Sequence, residues 1–197
     1  MPLNIKKSDF VKSASKPSQY PPTNHPEFFF AGKSNSGKSS MLNAICNRKK
    51  LAITSKTPGR TQLINFFLIN DCISFVDIPG YGYANTSKKV SNAWNDMILN
   101  YLASNRNIVS MFMAVDIRRG IEELDTKMIN LTSSYNIDVN IIITKADKVS
   151  KAKKFEMKRK IENELLNYKN VKNINIFSSK SGEGVRDILE IIEKISL

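Results

Sequence analysis

At 197 residues the chain is long enough for one domain with its own core, needing neither disulfides nor a structural metal. Its 41% hydrophobic and 24% charged residues exclude a collagenous or wholly disordered chain, and no apolar run approaches the roughly 18 residues of a membrane helix. A formal charge of +12 points to phosphate-bearing partners, and two cysteines, Cys46 and Cys72, make neither a disulfide framework nor a metal site.

Residues 1–26 read as a polar N-terminal extension. Pro17, Pro21, Pro22 and Pro26 punctuate it, and little hydrophobic period runs through it, which leaves room for at most an added edge element. Its first residues lack the apolar segment of a secretion signal, and the last residues of the chain carry no cysteine for prenylation. A reduced, cytoplasmic setting without a membrane anchor is therefore expected.

Residues 27–197 read as one domain. Residues 27–32 form a short apolar run, Phe28 to Ala31, that reads as a buried strand. Directly after it, Gly32-Lys33-Ser34-Asn35-Ser36-Gly37-Lys38-Ser39 fits G-x-x-x-x-G-K-[ST] and opens a helix predicted over residues 38–47. Glycines let the backbone curl so that its N–H groups face phosphate oxygens. Lys38 sets a cation against the β and γ phosphates, Ser39 ligates Mg²⁺, and the helix end adds its positive dipole. A chance match in a chain of this composition has odds of roughly one in two hundred.

A polar segment follows, Ser55-Lys56-Thr57-Pro58-Gly59-Arg60-Thr61-Gln62, long enough to move with the nucleotide. Thr61 is the candidate second Mg²⁺ ligand, with Thr57 as its competitor. Residues 63–69 and 72–77 are strand-like, and Asn70-Asp71 between them is a tight hairpin signal. The second strand closes on Asp77-Ile78-Pro79-Gly80. An Asp there can hold Mg²⁺ through water, and the Gly80 N–H can meet a γ-phosphate.

Helical spacing over residues 90–102 and 121–135 brackets a β-rich run at 108–116. Residues 139–144 then form a strand that runs into Thr144-Lys145-Ala146-Asp147. The Asp147 carboxylate can accept two hydrogen bonds from guanine, at N1–H and the 2-amino group. Adenine would leave it unpaired and buried. The Lys145 stem can lie across the base. A charged helix over 151–167, a strand at 173–177 and an amphipathic helix over 184–195 complete the chain. Phe177, Ser178 and Ser179 follow the last strand, where backbone N–H groups can reach the guanine 6-oxo group. Strands alternating with helices predict an α/β fold: a mostly parallel six-stranded sheet with one antiparallel strand and helices on both faces.

These motifs, in this order, are similar to those of the TRAFAC-type GTPases, with their Ras-like P-loop GTPase domain. The spellings Gly32 to Ser39, Thr54 to Gln62, Asp77-Ile78-Pro79-Gly80-Tyr81-Gly82-Tyr83 and Thr144 to Asp147 together resemble the EngB (YihA/YsxC) family. So does Asp116-Ile117-Arg118-Arg119, and the likeness runs from about Glu27 to the end. Lys33, where arginine is more usual, keeps the charge. The resemblance implies a GTPase switch in assembly of the large ribosomal subunit, linked to cell division and septation. A GTPase acting on tRNA or another RNA is the alternative.

It also implies the contacts: GTP or GDP on Gly32, Lys33, Ser34, Asn35, Ser36, Gly37, Lys38 and Ser39; on Gly59, Arg60, Thr61, Gln62 and Leu63; on Asp77, Ile78, Pro79 and Gly80; on Thr144, Lys145, Ala146 and Asp147; and on Phe177, Ser178 and Ser179. Lys38, Thr61 and Gly80 carry the catalytic roles. Mg²⁺ sits on Ser39 and Thr61 and on Asp77 through water, and Asn35 is the candidate for a potassium ion. The implied partner is the large ribosomal subunit or its precursor, met by a monomer.

Tyr81 stands where many GTPases carry a water-orienting glutamine, so slow intrinsic hydrolysis that waits for a partner is expected. Trp94 follows in the next helix, as a core anchor or a sensor of the switch. The basic surplus is densest at residues 28–70 and 145–172. Lys148, Lys151, Lys153, Lys154, Lys158, Arg159 and Lys160 form either a solvated face or an electrostatic approach to RNA phosphates.

Overall fold

The computed structural model describes residues 2–22, 24–52, 63–82 and 88–196. In chain order the strands are β1 (Ser8–Ala14), β2 (Glu27–Gly32), β3 (Ile64–Ile69), β4 (Ile73–Asp77), β5 (Ile108–Asp116), β6 (Asp138–Thr144) and β7 (Val171–Ile176). The helices are α1 (Lys38–Ile45), α2 (Lys88–Leu102), α3 (Glu123–Ser134), α4 (Lys151–Glu164) and α5 (Val185–Ser196).

One sheet runs in the order β1-β3-β4-β2-β5-β6-β7. Only β3 opposes the other strands, pairing antiparallel with both β1 and β4. The hairpin expected between β3 and β4 is made by Asn70 and Asp71, both at positive φ, 49° and 58°. That is the combination a tight turn needs to follow the strand twist.

The sheet has seven strands, not the six expected. The seventh is β1, within the polar extension. It gave no sequence signal because its middle faces solvent: Phe10 is 55% and Val11 45% exposed. Backbone pairing to β3 holds it, with a bulge between Phe10 and Lys12. The Asn70 side chain also accepts from the N–H groups of Lys6 and Lys7, at 2.9 and 3.0 Å.

Alternation along the central strands builds two cores. Phe29 and Ala31 of β2, Met111 and Met113 of β5, and Ile141 and Ile143 of β6 face α2, α3 and α4. Phe28, Phe30, Phe112, Ala114 and Ile142 face α1 and α5. This period of two within almost wholly apolar strands is what a sheet covered on both faces requires.

The extension is also clamped at the other end of the sheet. Glu27 is fully buried and paired with Arg106, and the Tyr101 hydroxyl donates to it at 3.1 Å. The same guanidinium donates to the Pro21 carbonyl at 2.8 Å and lies over the Phe66 and Tyr20 rings. Cys46 sits in the core below α1, where burial pushes its thiol up to about 12, whereas Cys72 is exposed. Since the thiolate is the nucleophile, alkylation of the native protein should label Cys72 and spare Cys46. Equal labelling would contradict this packing.

Candidate functional site

The site lies at the ends of β2, β4, β6 and β7. Between β2 and α1 the chain turns through Asn35 at φ 63° and Gly37 at φ 98°. At Gly37 a side chain would be strained in this left-handed backbone, and its Cβ would press within 3.3 Å of Thr144 Oγ1. Helix α1 starts here with no side-chain cap and no acidic residue in its first turn. Helix N–H groups in that state, beside Lys38, form an anion site. Lys38 is buried and paired with Asp77 of β4. A phosphate and a divalent ion fit this donor set, since Lys38, the Ser39 hydroxyl and the helix end share the first turn of α1 and the Asp77 carboxylate meets Lys38 from β4. A bound Mg²⁺ would supply charge neutralisation between the phosphates.

From Asp77 the chain continues beside the phosphate loop. Ile78 N–H donates to Phe30 O (3.2 Å), Tyr81 N–H to Gly32 O (3.3 Å) and Ser34 N–H to Tyr81 O (2.8 Å). The approach is tight: a Cβ on Gly80 would lie 3.2 Å from Ser34 N and Cα. A side chain here would push the phosphate loop away by a few tenths of an ångström.

Tyr81 turns inward. It is 6% exposed, and its hydroxyl donates to Asp125 of α3 at 2.5 Å. Burial first, then the Asp125 charge, push its phenol well above the ordinary tyrosine range. Burial likewise raises the Asp125 carboxyl. Asp125 also accepts from Glu122 N–H at 3.0 Å, in a capping box that starts α3, while Lys33 of the phosphate loop pairs with Glu122. Trp94 packs edge-on to Tyr81 at 5.7 Å, and its indole N–H donates to Pro79 O at 2.9 Å. So Trp94 is both anchor and neighbour of the Asp77–Gly80 segment.

The loop after β6 grips the phosphate loop from the other side. The Thr144 hydroxyl donates to Ser36 O, and Lys145 Nζ donates to Asn35 O at 2.5 Å and pairs with Asp116 at 2.9 Å. Asp116, at the end of β5, is buried. Burial alone would raise its carboxyl, but Arg118 and Lys145 outweigh that and hold it well below the ordinary range. The Asp147 carboxylate is partly exposed, its side chain at 19%, where a base can cover it. Any penalty for a mismatched base would then arise only once the base covers the carboxylate. The Ser178 hydroxyl donates to Asp147 Oδ1 at 2.8 Å, and this bond lowers the Asp147 carboxyl.

Of the three residues after β7, Phe177 N–H donates to Ile143 O and Ser178 N–H to Glu183 O, at 2.8 and 3.0 Å. Those two backbone donors are committed within the fold, and Ser179, which is exposed, is the one the loop offers outward. Ala146 N–H ties this loop to the base motif through Phe177 O. Leu63 is described immediately before β3, whereas Thr57, Gly59, Arg60, Thr61, Gln62 and Tyr83 lie outside the described residues. Sequence reasoning missed the pinning roles of Thr144 and Ser178 and the Asp125 partner of Tyr81. The available signal was a carboxylate three residues after Glu122 at a helix start.

Comparison with known proteins agrees with this geometry. Residues 27–145 match the family described as 50S ribosome-binding GTPase. The probable GTP-binding protein EngB of Citrifermentans bemidjiense is 44% identical over 180 residues, covering 91% of this chain and 83% of the relative. That of Bacillus thuringiensis is 41% identical, covering 98% of each. The crystal structure of a probable GTP-binding protein engB superposes with a TM-score of 0.68 at 22% identity, covering 86% of this chain and 97% of that one. The chain belongs to the EngB family of GTP-binding proteins, GTPases of Ras-like fold.

Proposed function

We propose that this GTPase is a nucleotide-gated assembly factor for the large ribosomal subunit, with a downstream link to cell division and septation. In its GTP form it docks on a late precursor, and hydrolysis releases it. The contact that supports gating is the seam Gly32–Tyr81–Ser34, which lays the Asp77–Gly80 segment against the phosphate loop. A γ-phosphate meeting Gly80 N–H acts on that seam directly. The family's description as 50S ribosome-binding supports the choice of partner over tRNA.

In this reading Gly32 to Ser39 hold the phosphates, Asp147 and Lys145 the base, and Ser179 N–H the 6-oxo group. Mg²⁺ rests on Ser39, Thr61 and, through water, Asp77. Asn35 contributes to a potassium site. Hydrolysis is slow alone, because the Tyr81 side chain is buried and commits its hydroxyl proton to Asp125. The partner subunit accelerates it. The protein works as a cytoplasmic monomer.

Trp94 should report the switch. Its emission should differ between GDP and a GTP analogue through the Pro79 contact, and identical spectra would remove that coupling. The biological test is complementation. In a bacterium depleted of its own EngB, this chain should restore mature large subunits on sucrose gradients, and Lys38→Ala should not. Failure of the intact chain to change the gradient would overturn the assembly role.

A further inference from the structure

We infer that the outer face of α4 is a docking surface for an unstacked RNA segment, a single base on Phe155 with its flanking phosphates on Lys151 and Arg159. The inference rests on the ribosomal reading above and names the chemistry that the surface takes.

The argument starts from how α4 disposes of its charge. Lys153 pairs with Glu156 at 2.5 Å, Lys154 with Glu183 at 2.5 Å, Lys158 with Glu162 and Lys160 with Glu164, both at 3.7 Å. Among the described residues, Lys151 and Arg159 are the two cations of this helix without an acidic partner. Both stand four residues from Phe155, one on each side, so the three lie one turn apart on one stripe. Phe155 is 60% exposed, and Leu166, in the turn beyond the helix end, is 81% exposed. The opposite face carries Met157 and Ile161 into the core. Glu162 also falls on the stripe but is already engaged by Lys158.

A solvated helix face does not need an aromatic ring between its two free cations. Single-stranded nucleic acid does: every base has a face that stacks on an aromatic ring, while cations on either side meet the backbone. The helix that carries the stripe starts at the Ser150 cap and is tied by Lys154–Glu183 to the loop after β7. That tie places it beside the base-binding loops, although no stripe residue belongs to them.

The test is fluorescence polarisation of the full chain with a labelled 12-nucleotide single-stranded RNA and a duplex of equal length. Wild type should prefer the single strand. Phe155→Ala should weaken it roughly tenfold with the salt slope unchanged. A Lys151→Gln/Arg159→Gln pair should lower the salt slope by about one to two. A Lys153→Gln/Glu156→Gln pair, removing a lysine together with the carboxylate that neutralises it, should change neither, and GTP affinity should be the same for all. Equal binding by Phe155→Ala, or equal affinity for duplex, would overturn the inference. Pelleting with large subunits separates it from the functional reading. If wild type and Phe155→Ala pellet alike, the stripe is wrong and the assembly role stands. If Phe155→Ala loses the subunit but no variant differs on RNA, the face meets a ribosomal protein instead, which also overturns it.

Discussion

Asp147→Asn should weaken GTP binding at least about 100-fold while xanthine nucleotide gains. The wild-type carboxylate accepts from guanine N1–H and the 2-amino group, and hydrogen bonds to a charged acceptor contribute about 1.5–3 kcal/mol each. An amide keeps one acceptor and turns a donor toward the base, which suits the 2-oxo group of xanthine. The carboxylate is aimed by Ser178 at 2.8 Å, and that bond lowers it further below the usual carboxylate range. Ser178→Ala should therefore weaken GTP binding too, by a smaller factor, with no gain for xanthine. Competition of GTP, XTP and ATP against a fluorescent GDP reads all three. Unchanged GTP affinity in Asp147→Asn would refute the base-site assignment.

The second large effect is on stability. Arg106→Ala should cost about 3–5 kcal/mol, because it leaves Glu27 charged and fully buried without its partner. It also removes the donor to Pro21 O and the cation over Tyr20 and Phe66. For a chain of this length each kcal/mol moves the midpoint by about 2–4 °C, so a Tm fall of roughly 10 °C is expected. Deleting residues 1–21 should reproduce part of that loss, since β1 and the Pro21 and Tyr20 contacts of Arg106 are gone together while the Glu27–Arg106 pair remains. A Tm within a degree or two of wild type for Arg106→Ala would show that Glu27 is otherwise satisfied.

What was legible in the sequence was whatever leaves a period or a fixed spacing. The apolar strands β2, β5 and β6, the phosphate loop, the Asn70-Asp71 turn and Thr144 to Asp147 all do so. β1 does not, because an edge strand held by its backbone needs no buried face. The clamp of Glu27 by Arg106 joins residues 79 apart, and nothing local announces it. The inward turn of Tyr81 was equally hidden. Sequence placed it where a glutamine is common, but only packing shows its hydroxyl on Asp125. Helical spacing alone leaves the basic helix open between a solvated face and an approach to RNA; which lysines are paired and, among the described residues, which two cations flank an aromatic ring takes the structure to show.

The central claim is that nucleotide state gates docking on the large ribosomal subunit. The direct measurement is co-sedimentation of the protein with purified large subunits, with GTP analogue, GDP or no nucleotide, at two salt concentrations. The account predicts selective pelleting with the GTP analogue that persists at the higher salt. Pelleting that ignores nucleotide and vanishes with salt would contradict it, and would reduce the +12 charge to non-specific attraction for RNA.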